Sequence, residues 1–144
     1  RVLVHRDLQS QNIMVRDRGP VLIDFQGMRF GNLFYDLGSL LYDPYVAIPD
    51  EECRSLLRYY YDLSRTARPW DDFERLFRQA SAQRLMQALG AYGFLGLERK
   101  KRHFLAHAAP ALERLIAVTG ATGTLPLLHA LACRCRAALP AEIS

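Results

Sequence analysis

Two short stretches, HRDLQSQN at residues 5–12 and VLIDFQ at residues 21–26, carry most of the information in this 144-residue chain. Asp7 supplies a carboxylate in the first loop, Asn12 supplies an amide oxygen where an apolar run begins, and Asp24 supplies a second carboxylate after the next apolar run. Carboxylate and amide oxygens are the ligands that Mg²⁺ prefers in proteins. Phosphoryl transfer needs such a metal site and a carboxylate that orients the attacking hydroxyl.

The residues between these stretches predict a β-hairpin. Ile13–Val15 and Val21–Ile23 are short apolar runs, and the polar segment RDRGP at residues 16–20 separates them with Gly and Pro. A hairpin of this kind brings Asn12 and Asp24 side by side at its open end. The sequence therefore predicts that the three oxygen donors converge on one small volume.

The rest of the chain indicates helices after one further short strand at Val2–Val4. A short helix is expected over Phe34–Tyr42, before the Asp43-Pro44 turn. Longer helices are predicted from residues 49 and 69 onward, over residues 98–118, and over residues 124–139 after a break at 119–123. The predicted fold class is mainly α with a small β-hairpin.

Composition excludes several classes of protein. The formal net charge is only +4, and the one dense basic run, at residues 99–102, lacks the interleaved aromatics of a nucleic-acid groove, so we expect an exposed helix face and no nucleic-acid partner. No apolar run approaches 18 residues, so we expect no membrane partner. The three cysteines, Cys53, Cys133 and Cys135, form no disulfide framework. We expect a cytoplasmic protein with free thiols.

The two motifs together resemble the catalytic loop and the magnesium loop of the protein-kinase-like superfamily. One short hairpin separates them, and YDLGSLL follows at residues 35–41, which is similar to the aminoglycoside and choline kinase family of phosphotransferases. Within that family the pattern most resembles the bacterial anomeric kinases of N-acetylmuramate and N-acetylglucosamine. Weaker similarity continues at residues 83–85, at Gly90 and at residues 102–105.

The resemblance implies the C-terminal lobe of a kinase fold, with the N-terminal lobe absent. We expect one unit over residues 1–144, with the catalytic and metal-binding loops in 1–45 and a helical subdomain in 46–144. The glycine-rich loop and the lysine-bearing strand that grip ATP belong to the other lobe. We therefore expect an exposed apolar surface where that lobe docks, possible self-association through it, and little or no activity of this chain alone.

The resemblance also implies a role for individual residues. Asp7 is the expected catalytic base, and Asn12 and Asp24 are the expected Mg²⁺ ligands, which with Gln9 bind the phosphates of ATP. Gln9 is a neutral amide, so it donates a hydrogen bond without adding charge. Structural support of the site is expected from His5, Arg6 and Asp36.

Four residues have two possible interpretations each. Asp36 is either a buried anchor, like the acidic residue that holds the catalytic loop by hydrogen bonds to its backbone in the family it resembles, or a metal ligand. His5 is either a packed imidazole that braces the loop or a direct participant in catalysis. Asp43 either accepts hydrogen bonds from sugar hydroxyls or belongs to the turn before Pro44. Arg84 either meets an anionic group of the substrate or is a solvent-facing arginine on a helix.

The predicted activity is transfer of the γ-phosphate of ATP, with Mg²⁺, to a small hydroxylated acceptor, and the expected acceptor is an amino sugar. Within enzymes the alternatives are kinases for an aminoglycoside, choline, homoserine or another sugar. The alternative from another class is a pseudokinase, a binding module without turnover. Retention of all three oxygen donors argues against that alternative.

Overall fold

The computed structural model describes residues 1–46 and 48–140. The chain divides into two compact units, Arg1–Ser81 and Ala82–Ser144. Most of the described residues are helical, and the strands form two small antiparallel sheets of two strands each. The predicted class, mainly α with a small β-hairpin, is confirmed.

The expected assignment of residues 1–144 to a single lobe stays a prediction. That range includes Ala47 and residues 141–144, which lie outside the described residues.

The predicted hairpin is present in the first unit. Strand β2 spans Ile13–Arg16 and strand β3 spans Gly19–Leu22, with Ile13 paired to Leu22 and Arg16 paired to Gly19. Gly19 has φ 111°, a backbone conformation that glycine adopts without steric cost, which allows the tight connection between the strands.

A second strand pair was not predicted from the sequence. Strand β1, Val2–Val4, pairs antiparallel with strand β4, Arg29–Gly31. Val4 is buried, and a Cβ added at Gly31 would lie 2.7 Å from a methyl carbon of Val4. The segment 29–31 lacks an alternating apolar pattern, so only its partner strand identifies it as a strand.

Three helices complete the first unit and enter the second. Helix α1 spans Phe34–Leu41, α2 spans Asp50–Ser64 and α3 spans Trp70–Gly93. The first turn of α2 contains only acidic residues, whose charges interact favourably with the positive end of the helix dipole. Helix α3 passes from the first unit into the second after Ser81.

Aromatic side chains form the core of the first unit. Phe73 is 1% exposed, and its ring meets that of Phe34 edge to face at 4.7 Å between centroids. The rings of Tyr61 and Trp70 lie 5.0 and 6.2 Å from Phe73. Burial of several aromatic rings supplies large apolar area to a small unit, so this cluster anchors α1, α2 and α3 to one another.

The second unit continues α3 with irregular helical turns and two further helices. A π-helical turn at Phe94–Glu98 and a 3-10 helix at Arg102–His107 precede α4, Ala108–Thr122, and α5, Pro126–Ala137. Within the described part of the chain, no helix is both long enough and apolar enough to span a bilayer.

Two expectations for this region were wrong. The helix predicted over 98–118 begins only at Ala108 and continues through the predicted break to Thr122, where Gly123 ends it at φ 60°. The basic run at 99–102 is exposed, as predicted, but it is not on the face of an α-helix. Its first three residues connect the two irregular turns, with Lys100 at φ 57°, and Arg102 begins the 3-10 helix.

A pair of helical glycines provides a test of the packing in α1. A Cβ at Gly38 would lie 2.5 Å from Ser81 Oγ and 3.1 Å from Ser81 Cα, whereas a Cβ at Gly90 in α3 would meet nothing within 4 Å. We expect G38A to lower the free energy of unfolding by about 1–3 kcal/mol through overpacking. We expect the matched control G90A to raise it by up to about 1 kcal/mol, since alanine is the better helix former. Urea denaturation measures both, and a stabilising G38A would contradict the close approach of α1 to α3.

Candidate active site

Asp36 of α1 holds the loop that follows β1. Its Oδ2 accepts a hydrogen bond from the backbone N–H of His5 at 2.5 Å, and its Oδ1 accepts one from the N–H of Arg6 at 2.8 Å. Arg6 has φ 76°, a left-handed conformation that is unfavourable for a residue with a Cβ. The two charge-assisted hydrogen bonds stabilise this conformation directly before Asp7. They are contacts of the kind that the resemblance implies for Asp36.

His5 joins the catalytic loop to the strand that leads to Asp24. Its ring is buried, and Nε2 lies 2.9 Å from the backbone oxygen of Ile23. A carbonyl oxygen only accepts hydrogen bonds, so Nε2 carries the proton. The other nitrogen, Nδ1, is buried without a hydrogen-bond partner among the described residues. This geometry favours the bracing interpretation of His5 over direct catalysis.

Asp7 and Asn12 are in direct contact. The Asn12 amide nitrogen donates to the Asp7 backbone oxygen at 2.8 Å and to Asp7 Oδ2 at 3.1 Å. Both neighbours are acceptors, so the NH₂ group must face Asp7 and the amide oxygen Oδ1 points away from it. Gln9 adds a weaker contact from Nε2 to the same carboxylate oxygen at 3.5 Å. A 3-10 turn over Ser10–Asn12 produces this arrangement.

Asp24 lies at the open end of the hairpin, next to Asn12 in the strand register. The backbone N–H of Ile23 donates to the Asn12 oxygen at 3.0 Å, which extends the β2–β3 pairing by one step. Asp24 is exposed and adopts a left-handed conformation with φ 62°. Its Oδ1 accepts a hydrogen bond from the Gln26 side chain. The two loops therefore meet at the end of the hairpin, where the sequence predicted that they would.

Asp43 braces the turn before Asn12. It is 3% exposed, its Oδ2 accepts a hydrogen bond from the N–H of Ser10 at 2.7 Å, and its Oδ1 accepts one from the N–H of Tyr45 at 2.9 Å. A carboxylate with both oxygens bound to backbone amides favours the turn interpretation over a contact with substrate hydroxyls. The link to Ser10 spans 33 residues, so no local pattern could have indicated it.

Arg84 is the predicted site residue of the second unit. It lies on α3, and its side chain is partly buried. A role for Arg84 in binding an anionic substrate group stays a prediction.

The donor set suits Mg²⁺. Asn12 Oδ1 accepts no hydrogen bond from any described residue, and Asp24 presents an exposed carboxylate. The described residues contain no group of three or more His, Cys, Asp or Glu placed to hold a metal. Mg²⁺ is bound in phosphotransferases by one or two protein oxygens, with waters and substrate phosphates completing its shell, so two donors are sufficient.

Many apolar side chains close to this site in the sequence are exposed. Several side chains of the two sheets and of the turn after Asp24 are at least 40% exposed. They are Val2, Leu3, Met14, Val15, Val21, Leu22, Ile23, Phe25 and Phe30. Exposed apolar patches of this kind commonly mark binding surfaces. The expected docking of an N-terminal lobe on these side chains stays a prediction.

Comparison with protein families assigns the chain to a class. Residues 1–76, which include both loops, the hairpin and α1, match the model of the phosphotransferase enzyme family. The chain belongs to that family, which confirms the family that the motifs indicated.

Three curated relatives show which kinases of this family the chain is similar to. The chain is 29% identical over 136 residues to the N-acetylmuramate/N-acetylglucosamine kinase of Neisseria meningitidis serogroup B, which covers 91% of this chain and 41% of that protein. The kinases of the same name from Pseudomonas aeruginosa and Pseudomonas putida are 29% and 28% identical over 97 residues, which covers 64% of this chain and 29% of each relative. The chain thus spans less than half the length of these relatives.

Proposed function

We propose that this chain carries the acceptor-binding and metal-binding side of an ATP-dependent kinase whose acceptor is an amino sugar. The observation that carries the proposal is the contact of the Asn12 amide with Asp7, at the hairpin end where Asp24 also lies. Phosphoryl transfer requires a carboxylate that orients the attacking hydroxyl and oxygen ligands that hold the metal. The two adjacent loops carry side chains of both kinds.

Asp7 is the proposed catalytic base. The Asn12 hydrogen bonds fix the orientation of its carboxylate, and the Asp36 hydrogen bonds fix the backbone of the two residues before it. A carboxylate held in this way orients the acceptor hydroxyl toward the phosphate and accepts its proton late in the transfer. Gln9, within reach of the same carboxylate, is placed to donate to a phosphate oxygen without adding charge.

Asn12 and Asp24 are the proposed ligands of Mg²⁺. Bound Mg²⁺ supplies positive charge that offsets the charge of the phosphate oxygens in the transition state. Asn12 offers its unoccupied Oδ1, and Asp24 offers its exposed carboxylate. The hydrogen bond from Gln26 to Asp24 restricts the rotation of that carboxylate.

We further propose that the chain is the C-terminal lobe of a kinase fold and that an N-terminal lobe covers the apolar side chains exposed on the two sheets. Exposed apolar side chains in this number favour self-association of the isolated chain. Turnover requires the other lobe to hold ATP, so we expect little activity from this chain alone. Because the phosphate donor is ATP, we propose a cytoplasmic location.

The choice of acceptor rests on the relatives. Three curated relatives are named N-acetylmuramate/N-acetylglucosamine kinases, and the first aligns along 91% of this chain. An aminoglycoside, choline, homoserine or another sugar is the alternative acceptor. No observation on the described residues favours one of these over the amino sugars.

An acceptor panel tests the proposal. The protein, extended to include an N-terminal lobe, is incubated with ATP, Mg²⁺ and one acceptor at a time, and ADP release is measured. We expect the highest kcat/KM with N-acetylmuramate or N-acetylglucosamine. Their 1-O-methyl glycosides are the matched control, since the methyl group blocks the anomeric hydroxyl, and should give no release. A higher kcat/KM with choline or an aminoglycoside would contradict the proposal that the acceptor is an amino sugar. Absence of turnover with every compound would favour the alternative that the protein is a pseudokinase.

A further inference from the structure

His129 of α5 has a fixed tautomer in the second unit. Its Nδ1 lies 3.1 Å from the hydroxyl oxygen of Thr119 and 3.2 Å from the backbone oxygen of Ile116, both in α4. The Thr119 hydroxyl donates its own proton to the Leu115 oxygen at 2.7 Å. Both neighbours of Nδ1 are therefore hydrogen-bond acceptors, and Nδ1 must carry the proton.

The other nitrogen of this imidazole faces a cysteine thiol. Cys133 follows His129 by one helical turn of α5, and its Sγ lies 3.7 Å from His129 Nε2. Since the proton resides on Nδ1, Nε2 presents a lone pair to the thiol. Cys133 is exposed, so small molecules reach its sulfur from solvent.

The position of the imidazole is restricted by α4. A Cβ added at Gly120 would lie 3.2 Å from His129 Cε1, so the ring packs closely against the helix backbone at that glycine. The Thr119 side chain that orients the ring is 1% exposed. The two acceptors in α4 thus fix the orientation of the imidazole. The Cys133 thiol and the His129 imidazole form an oriented pair of nucleophile and base.

We propose that Cys133 is a reactive thiol, activated by His129, that forms a mixed disulfide with low-molecular-weight disulfides. Nε2 takes the thiol proton, and the resulting thiolate attacks one sulfur of the disulfide. The new Cys133–sulfur bond forms as the original sulfur–sulfur bond breaks, and the second half leaves as a thiolate that is then protonated. The disulfide is the oxidant, and a small thiol reverses the step.

The other two cysteines lack the contact with an imidazole that distinguishes Cys133. Cys135 is also exposed and lies two residues further along α5, and its sulfur makes no hydrogen bond with any described residue. It lies between Arg134 and Arg136, so charge in the sequence alone would favour it as the reactive thiol. Cys53 is buried, and burial together with the nearby charge of Glu52 raises the pKa of its thiol, so it should be inert.

The test compares the reaction rates of Cys133 and Cys135 in the protein without substitutions. The reduced chain is treated at neutral pH with glutathione disulfide, and peptide mapping by mass spectrometry follows modification of each cysteine over time. We expect Cys133 to react about tenfold faster than Cys135, and Cys53 to remain unmodified. Similar rates at Cys133 and Cys135 would overturn the proposal, whatever the variants do.

Variants then identify the source of the difference. In H129Q the rate at Cys133 should fall to that of Cys135, while the rate at Cys135 stays unchanged and serves as the internal control. An unchanged rate at Cys133 in H129Q would show that the imidazole does not activate the thiol. C133S should remove the fast phase altogether, and a fast phase that survives C133S would also refute the assignment. If H129Q does not fold, the reaction rates of Cys133 and Cys135 in the protein without substitutions alone decide whether Cys133 is the reactive thiol.

Discussion

Replacement of Asp7 by alanine should lower kcat by about 10²–10⁴-fold in the protein that also has an N-terminal lobe. Asp7 is the carboxylate that Asn12 orients at the hairpin end, and no other described carboxylate shares that contact. Its removal takes away the group that we propose to position the acceptor hydroxyl and accept its proton. Nucleotide binding should change little, because the proposed contacts to the phosphates come from other residues. Initial rates of ADP release and calorimetric binding of the nucleotide measure the two effects.

The matched control for this prediction is Asp17→Ala. Asp17 is an exposed aspartate in the connection between β2 and β3, at the opposite end of the same hairpin. Loss of a negative charge from the hairpin is common to both variants, so kcat should remain near that of the unmodified protein in D17A. Equal rates in D7A and the unmodified protein would remove Asp7 from the mechanism.

Replacement of Asp36 by asparagine should lower kcat by about 10²-fold through a displaced catalytic loop. The Asp36 carboxylate accepts hydrogen bonds from two backbone N–H groups and stabilises the left-handed Arg6 next to Asp7. An asparagine keeps one acceptor but directs an NH₂ group at the second N–H, so one backbone donor loses its partner. The free energy of unfolding should fall by about 1–3 kcal/mol.

A positioning role for Asp36 differs from a role in substrate binding. We expect kcat to fall while the KM values for ATP and acceptor change little, with assays run well below the unfolding temperature of D36N. Asp71→Asn is the control, since Asp71 occupies the first turn of α3 as Asp36 occupies that of α1, and it is exposed. A similar loss of kcat in D71N, or an unchanged kcat in D36N, would argue against positioning through the loop backbone.

The sequence predicted the structure best where the candidate site residues lie within a locally specified element, the β2–β3 hairpin. The run RDRGP between two apolar segments predicted the hairpin, and the hairpin brought Asn12 and Asp24 to one end. Helix boundaries were predicted less well, since Thr119–Thr122 continues α4 in spite of its glycine. Gly120 is tolerated there because the His129 ring packs against it. That contact depends on a residue from another helix.

The sequence by itself determined the class of the protein, because the residues that we propose to bind metal and orient an acceptor lie within two loops joined by one turn. Only the tertiary structure revealed what else holds these loops besides Asp36: the pairing of β1 with β4 and the hydrogen bond from the Ser10 amide to Asp43. It also paired His129 with Thr119 and thereby directed a lone pair at Cys133. Apart from His129 and Cys133, which are four residues apart in one helix, these contacts join residues 10 to 33 positions apart. At such separations composition and spacing carry no signal, and only the packing of the folded chain selects the partners.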